Sequence, residues 1–172
     1  VYDQLIRRLK NRAKDPEQAF SMLQEPREDT PFRYYEPLTL GELHIVEYFL
    51  GFKLPPLMRD IYTQVGNGGF GPGYGLTGLT DDGHPDCLDM NAADLYAQFQ
   101  SMPENGFEWN WPRKILPICD LACNVMLCID CNTVGGRILA FDPSIDVGEP
   151  FRPKANSLQH WLEAWLNGTL PE

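Results

Sequence analysis

From Asp60 to Pro112 the chain contains no lysine and no arginine. The same stretch holds Asp60, Asp81, Asp82, Asp86, Asp89, Asp94, Glu104 and Glu108. Phosphate backbones are held by cations, so a middle of this sign excludes nucleic acid as the partner. A basic protein is instead attracted and meets such a surface faster. No apolar run approaches the roughly 20 residues of a membrane-spanning helix. The first residues also lack the apolar core of a secretion signal. A cytoplasmic protein with no membrane partner is therefore expected. The Gly-x-Ser-x-Gly, His-Glu-x-x-His, P-loop and kinase signatures are absent, and no pair of carboxylates stands out as a hydrolytic acid and base. Cysteine is limited to five residues, and Cys119, Cys123, Cys128 and Cys131 crowd together apart from Cys87. An odd, clustered set does not make the framework of a secreted disulfide domain, so reduced thiols are expected.

What is present is a globular chain of 172 residues, 43% hydrophobic, with formal net charge -10. That length suits one domain with a short appendage. The appendage is basic: Arg7, Arg8, Lys10, Arg12 and Lys14 stand against Asp3 alone. Residues 1–38 read as an N-terminal helical extension and connector, and residues 39–172 as the main domain.

Apolar spacing predicts a helix over residues 2–13, with Leu5, Ile6, Leu9 and Ala13 on one face. Asp15-Pro16 reads as the start of a second, leading to Ala19, Phe20 and Leu23. Pro26, Pro31 and Pro37 then make an irregular connector. Thr39 and Glu42 form a capping box ahead of Leu43, Val46, Phe49 and Leu50. Leu54-Pro55-Pro56 opens another helix, with Leu57, Ile61 and Val65 inward and Gly66 as its stop. Asn91 and Asp94 begin a short helix carrying Leu95, Phe99 and Met102. Ser157 begins the last, in which Leu158, Trp161, Leu162, Trp165 and Leu166 recur at core spacing before Gly168. Strands are expected over 115–119, 125–131 and 137–142, the last two joined by a hairpin loop at 132–136, with a further strand at 75–80. Strands in one block between helices indicate an α+β fold with a mainly antiparallel sheet flanked by helices.

Three local motifs bear on chemistry. Gly66, Gly68 and Gly71 have dinucleotide-loop spacing, but they follow a helix and lead to Pro72 and Gly73, the reverse of the order a pyrophosphate site needs. They read as a helix stop and a tight reversal. Cys128 and Cys131 form a C-x-x-C inside a strand-like run, where positions i and i+3 point to opposite faces and do not share one ion. No metal site, no cofactor and no catalytic residue is assigned. His84-Pro85-Asp86-Cys87 gathers the ingredients of a nucleophile in a loop, and an uncharacterised hydrolase is the third-ranked reading. His44 and His160 read as surface or packing residues within helices.

The run Leu54-Pro55-Pro56-Leu57, through Tyr62 to Asn67-Gly68-Gly69-Phe70-Gly71 and on to Leu79, resembles the SUKH superfamily of Smi/Knr-like proteins. Leu54, Pro55, Tyr62, Asn67, Gly68, Gly69 and Gly71 carry the likeness, supported by Leu116-Pro117-Ile118-Cys119-Asp120 and by Phe141-Asp142-Pro143. It covers roughly residues 39–170. At the position before Cys123 many relatives have Trp-Gly, where this chain has Leu121-Ala122. The resemblance implies an α+β fold and a binding role without catalysis. In bacteria that role is immunity, the neutralising of a toxin that is often a nuclease; in fungi it is regulation of cell-wall synthesis through an endogenous protein partner. Nuclease toxins are basic because they hold phosphates, so the charge and the resemblance meet in one expectation: an acidic surface that binds a basic toxin domain. Candidate contacts are Asp81, Asp82, Asp86, Asp89, Glu104 and Glu108, with Trp109 and Trp111 as aromatic anchors. The alternative for the same residues is solvated carboxylates and two core tryptophans. A regulatory scaffold remains the alternative function.

Overall fold

The structure, a computed structural model, describes residues 1–20, 32–102, 110–121, 125–144 and 150–170. Among these residues the chain forms α1 (Asp3–Ala13), α2 (Leu40–Leu50), α3 (Pro56–Gln64) and α4 (Ala92–Gln100) before the sheet. The sheet is β1 (Ile115–Asp120), β2 (Met126–Asp130), β3 (Arg137–Phe141) and β4 (Phe151–Ala155), and α5 (Leu158–Leu166) follows. The strands form an antiparallel meander in the order β1-β2-β3-β4, which gives the expected α+β class.

The helix starts follow the capping chemistry in the sequence. Thr39 Oγ1 accepts from the Glu42 amide at 3.2 Å, and Glu42 Oε2 accepts from the Thr39 amide at 2.7 Å. The Asn91 and Ser157 side chains cap α4 and α5 by accepting from the amides of Asp94 and His160, and Pro56 sits in the first turn of α3. Leu5, Ile6, Leu9 and Ala13 of α1 are buried in the same core as α3 and α5. The basic face of α1 is partly engaged as well: Arg8 donates to Asn167 Oδ1 at 2.7 Å, and the Arg12 guanidinium lies 4.7 Å over the Trp165 ring.

Four local expectations need correction. The segment after Asp15 makes one turn and no helix. Ala19 and Phe20 are drawn instead to Gly71, whose amide donates to Ala19 O at 2.8 Å, while Leu23 lies outside the described residues. Phe49 is exposed and Glu47 is buried in its place. The Glu47 carboxylate accepts from the Leu54 amide at 3.0 Å and from Lys53 Nζ at 2.7 Å, with Arg59 Nε 3.0 Å away. It ties the end of α2 to the start of α3, and that joint needs an acceptor that phenylalanine lacks. The expected strand at 75–80 reduces to a single bridge between Leu76 and Cys119. Finally, β4 escapes the apolar pattern because Arg152, Pro153 and Lys154 are exposed on a sheet edge, where proline and charge are tolerated.

The other edge, β1, carries Pro117 and an irregularity between Pro117 and Cys119. The Ile118 carbonyl, turned out by that irregularity, accepts from the Thr77 amide at 2.8 Å. The loop after α3 therefore covers the edge that β1 would otherwise leave open. Gly68 makes this possible, with φ +82 and space for a Cβ only 2.4 Å from Leu76 O. Gly51 at the end of α2 has a similar φ of +77, with nothing within 4 Å of the place a Cβ would take. Gly51→Ala should cost about 1–2 kcal/mol, the left-handed penalty alone. Gly68→Ala should cost more than about 3 kcal/mol or prevent folding. Urea unfolding of both variants checks the difference.

Candidate partner-binding surface

The acidic loop is placed by the glycine turn that precedes it. Asn67 is buried, and its side chain grips one segment at two adjacent residues: Oδ1 accepts from the Leu79 amide at 2.8 Å, and Nδ2 donates to Thr80 Oγ1 at 2.7 Å. Its backbone reaches two further segments, the amide donating to Tyr35 O at 3.2 Å and the carbonyl accepting from the His84 amide at 3.0 Å. Gly78 and Gly83 pack directly on each other, where any Cβ at Gly78 would lie 2.6 Å from Gly83 Cα. The chain from 79 to 84 is thereby held as a closed loop with its aspartates at the rim.

Asp81, Asp82 and Asp89 are exposed and Asp86 is half-buried. Asp81 Oδ1 accepts from Asn91 Nδ2 at 2.7 Å. Asp86 Oδ1 accepts from the amides of Leu88 and Met90, each at 2.9 Å, and so organises its own turn. Asp89 takes a φ of 58, which aspartate tolerates better than most residues. Glu104, Glu108 and Trp109 lie outside the described residues. Trp111 does not join the loop. It is buried, stacked on Phe99 with ring centroids 4.3 Å apart, and its Nε1 donates to Ile115 O at 2.7 Å. An indole so enclosed is a core residue, and the anchor role expected of it from sequence is corrected accordingly.

Residues not singled out by sequence complete the surroundings. A cleft of about 330 Å³ opens beside the loop, lined among others by Arg33, Tyr35, Glu36, Glu42, Asn67 and Asp82. One wall is the 33–38 connector, laid against the end of α3 by the Tyr34 hydroxyl donating to Val65 O at 2.6 Å and the Leu38 amide donating to Tyr62 O at 2.8 Å. Glu42 keeps its charge there, because the hydrogen bonds from Thr39 hold its carboxyl below the ordinary range. Arg33 lies 4.9 Å from the Tyr35 ring centroid.

The His84 motif has a structural place. Its ring packs between Phe20 and Tyr35, at centroid distances of 5.9 and 5.5 Å, and Nε2 lies 3.1 Å from Tyr74 O. Cys87 is exposed as a residue, yet local desolvation of its sulfur, a hydrogen bond to Asp120 and the charges of Asp120 and Asp86 push the thiol up to about 12. A thiol held there stays protonated at neutral pH and is a poor nucleophile. Burial likewise pushes Cys119 and Cys131 up to about 12 and raises Cys128 well above the ordinary thiol range, so all three behave as packing thiols. Cys119 Sγ donates to Pro72 O at 3.2 Å, a further tie between β1 and the glycine loop. Among the described residues no helix is long and apolar enough to cross a membrane, and no cluster of His, Cys, Asp or Glu is arranged to hold a metal ion.

The site is thus an acidic loop, braced by a glycine turn beside a cleft, on an α+β domain. The chain belongs to the SMI1 / KNR4 family (SUKH-1), which residues 37–164 match. Members of this family are generally non-catalytic immunity or regulatory proteins. No curated protein matches the chain. The match begins in the connector, at the residues that form the cleft wall, and leaves α1 outside.

His84 gives the loop a pH dependence whose sign follows from its surroundings. Burial lowers its pKa from the ordinary 6.5, against smaller opposing effects of the Tyr74 carbonyl and Asp86. The unfolded chain then binds a proton at a higher pH than the folded one, so stability is intact above about pH 6.5 and falls as pH drops toward the folded value. One proton limits the slope to about 1.4 kcal/mol per pH unit. Urea unfolding between pH 7.5 and 5 should show this loss in the wild type and a smaller one in His84→Gln. Parallel profiles would contradict the assignment.

Proposed function

We propose that this chain is an immunity protein of the bacterial cytoplasm, which binds a basic toxin domain, of the nuclease kind, and neutralises it without catalysis. The observation that carries the reading is the braced acidic loop: Asp81, Asp82, Asp86 and Asp89 sit on a rim fixed by Asn67 and by the Asp86 turn. Carboxylates on a fixed loop lose little freedom on binding, so their attraction for a cationic surface goes into affinity and encounter rate. In sequence Glu104 and Glu108, with Trp109 beside them, extend the same candidate region. Family membership supports a protein partner, and the net charge of -10 supports one of opposite sign.

The charge can be removed without disturbing the loop. An asparagine at position 86 keeps the Oδ1 acceptor for Leu88 and Met90, and asparagine is at home at the φ of position 89. Affinity capture followed by mass spectrometry identifies the partner. The variant with Asp81, Asp82, Asp86 and Asp89 all changed to Asn should then associate with it at least about ten-fold more slowly at low salt, with a weaker dependence on ionic strength. An unchanged association rate would remove the acidic loop from the interface.

A further inference from the structure

α2 carries large apolar residues on both sides, with exposed His44 among the outward ones. Leu43, Val46 and Leu50 face the core, whereas Leu40 (65% exposed), Ile45 (69%), Tyr48 (90%) and Phe49 (56%) face solvent. At about 100° per residue these four fall within one half of the helix circumference. A surface helix ordinarily turns a polar face outward. Among the described residues the other large exposed apolar ones, Val1, Phe32, Leu88 and Val134, come from separate segments, and scattered singly they need no explanation.

The border of this face is acidic on balance. Glu42 on α2 shares the cleft with Glu36 and Asp82, which joins the first turn of the helix to the acidic loop. Asp94 is exposed on α4, which packs against α2. The nearby cations are outnumbered: Lys53 and Arg59 share the buried Glu47 and Arg33 lies against the Tyr35 ring, against the exposed carboxylates of Glu36, Glu42, Asp82 and Asp94. A second copy of the chain would bring the same net charge of -10 and the same acidic border, so self-docking sets like charges together. An anionic lipid surface is repelled for the same reason.

We propose that the outward face of α2, centred on Ile45 and Tyr48, is the apolar half of the partner-binding surface, and that its occupant is a basic protein domain presenting an apolar patch bordered by lysine or arginine. This rests on the toxin-binding reading above and adds to it the place where affinity resides. The aspartates steer the encounter, and the aromatic and aliphatic groups of α2, once desolvated, hold the complex.

The test uses the full chain and two synthetic 15-residue amphipathic peptides with the same leucine face, one with lysine and one with glutamate on the polar side. Amide NMR titration should give saturable shifts in residues 40–49 and 80–82 with the lysine peptide, and at least ten-fold weaker binding of the glutamate peptide. The double variant Ile45→Ser, Tyr48→Ser should bind the lysine peptide at least ten-fold more weakly with its melting curve unchanged, since both side chains are solvent-exposed. Shifts elsewhere with α2 silent, or equal binding of both peptides, would overturn the proposal. So would a concentration-dependent dimer in sedimentation that the double variant abolishes, because the occupant would then be a second copy. Binding of the captured partner separates the two readings. If the four-asparagine variant binds normally and the serine variant does not, the acidic loop fails and α2 stands; the opposite pattern removes α2 alone.

Discussion

The side chain of Asn67 is the contact on which the rest of the surface depends. One buried side-chain amide bonds the outgoing limb of the loop after α3 at Leu79 and Thr80, while the backbone of the same residue bonds the connector at Tyr35 and the loop end at His84. A buried amide with its groups satisfied specifies a unique arrangement, because any alternative leaves polar atoms unpaired away from water. The glycines around it are there for closeness of approach: Gly68 against Leu76 O, Gly78 against Gly83, and Gly69 against the Tyr35 ring. The motif with nucleotide-loop spacing is thus a brace, with the amides of Gly66, Asn67, Gly69 and Gly71 donated to the protein's own carbonyls.

That brace joins the sheet to the surface. On one side the loop covers the open edge of β1 through Thr77 and Ile118; on the other it presents aspartates beside a cleft shared with α2. Charge and apolar area then lie next to each other without competing. Carboxylates in water attract over roughly a Debye length of 8–10 Å, whereas apolar side chains act only on contact. In the proposed immunity role, fast encounter and slow release would draw on both terms, and the two reside on separate elements.

Much of the fold is legible in the sequence because its signals are local. Capping boxes, the Leu-Pro helix start and the Trp161–Trp165 spacing each depend on a few neighbouring residues, and the family likeness rests on the same run. The misses have physical reasons. β4 hides behind Pro153 and two charges, because an edge strand needs no apolar alternation. Helical spacing points Phe49 inward, yet the joint between α2 and α3 requires a buried carboxylate at Glu47. The outward face of α2 is hard to read for a related reason: a helix with large apolar residues on both sides gives little indication of which side the core covers. The cleft joins residues 33–38, 42, 67 and 80–82, segments whose proximity no local pattern encodes. The acidic loop is legible as charge, but Trp111 is not, because an aromatic near acids reads equally as anchor or core.

Hydrogen exchange of single amides tests the central claim, that the loop is held rigid by Asn67 before any partner arrives. The Leu79 amide bonds Asn67 Oδ1 and the His84 amide bonds Asn67 O. Both should exchange nearly as slowly as the amide of Ile129 in the middle of the sheet, through global opening alone. Exchange at those two amides orders of magnitude faster than at Ile129 would show a loop that opens independently, and the account of a pre-formed binding surface would be contradicted.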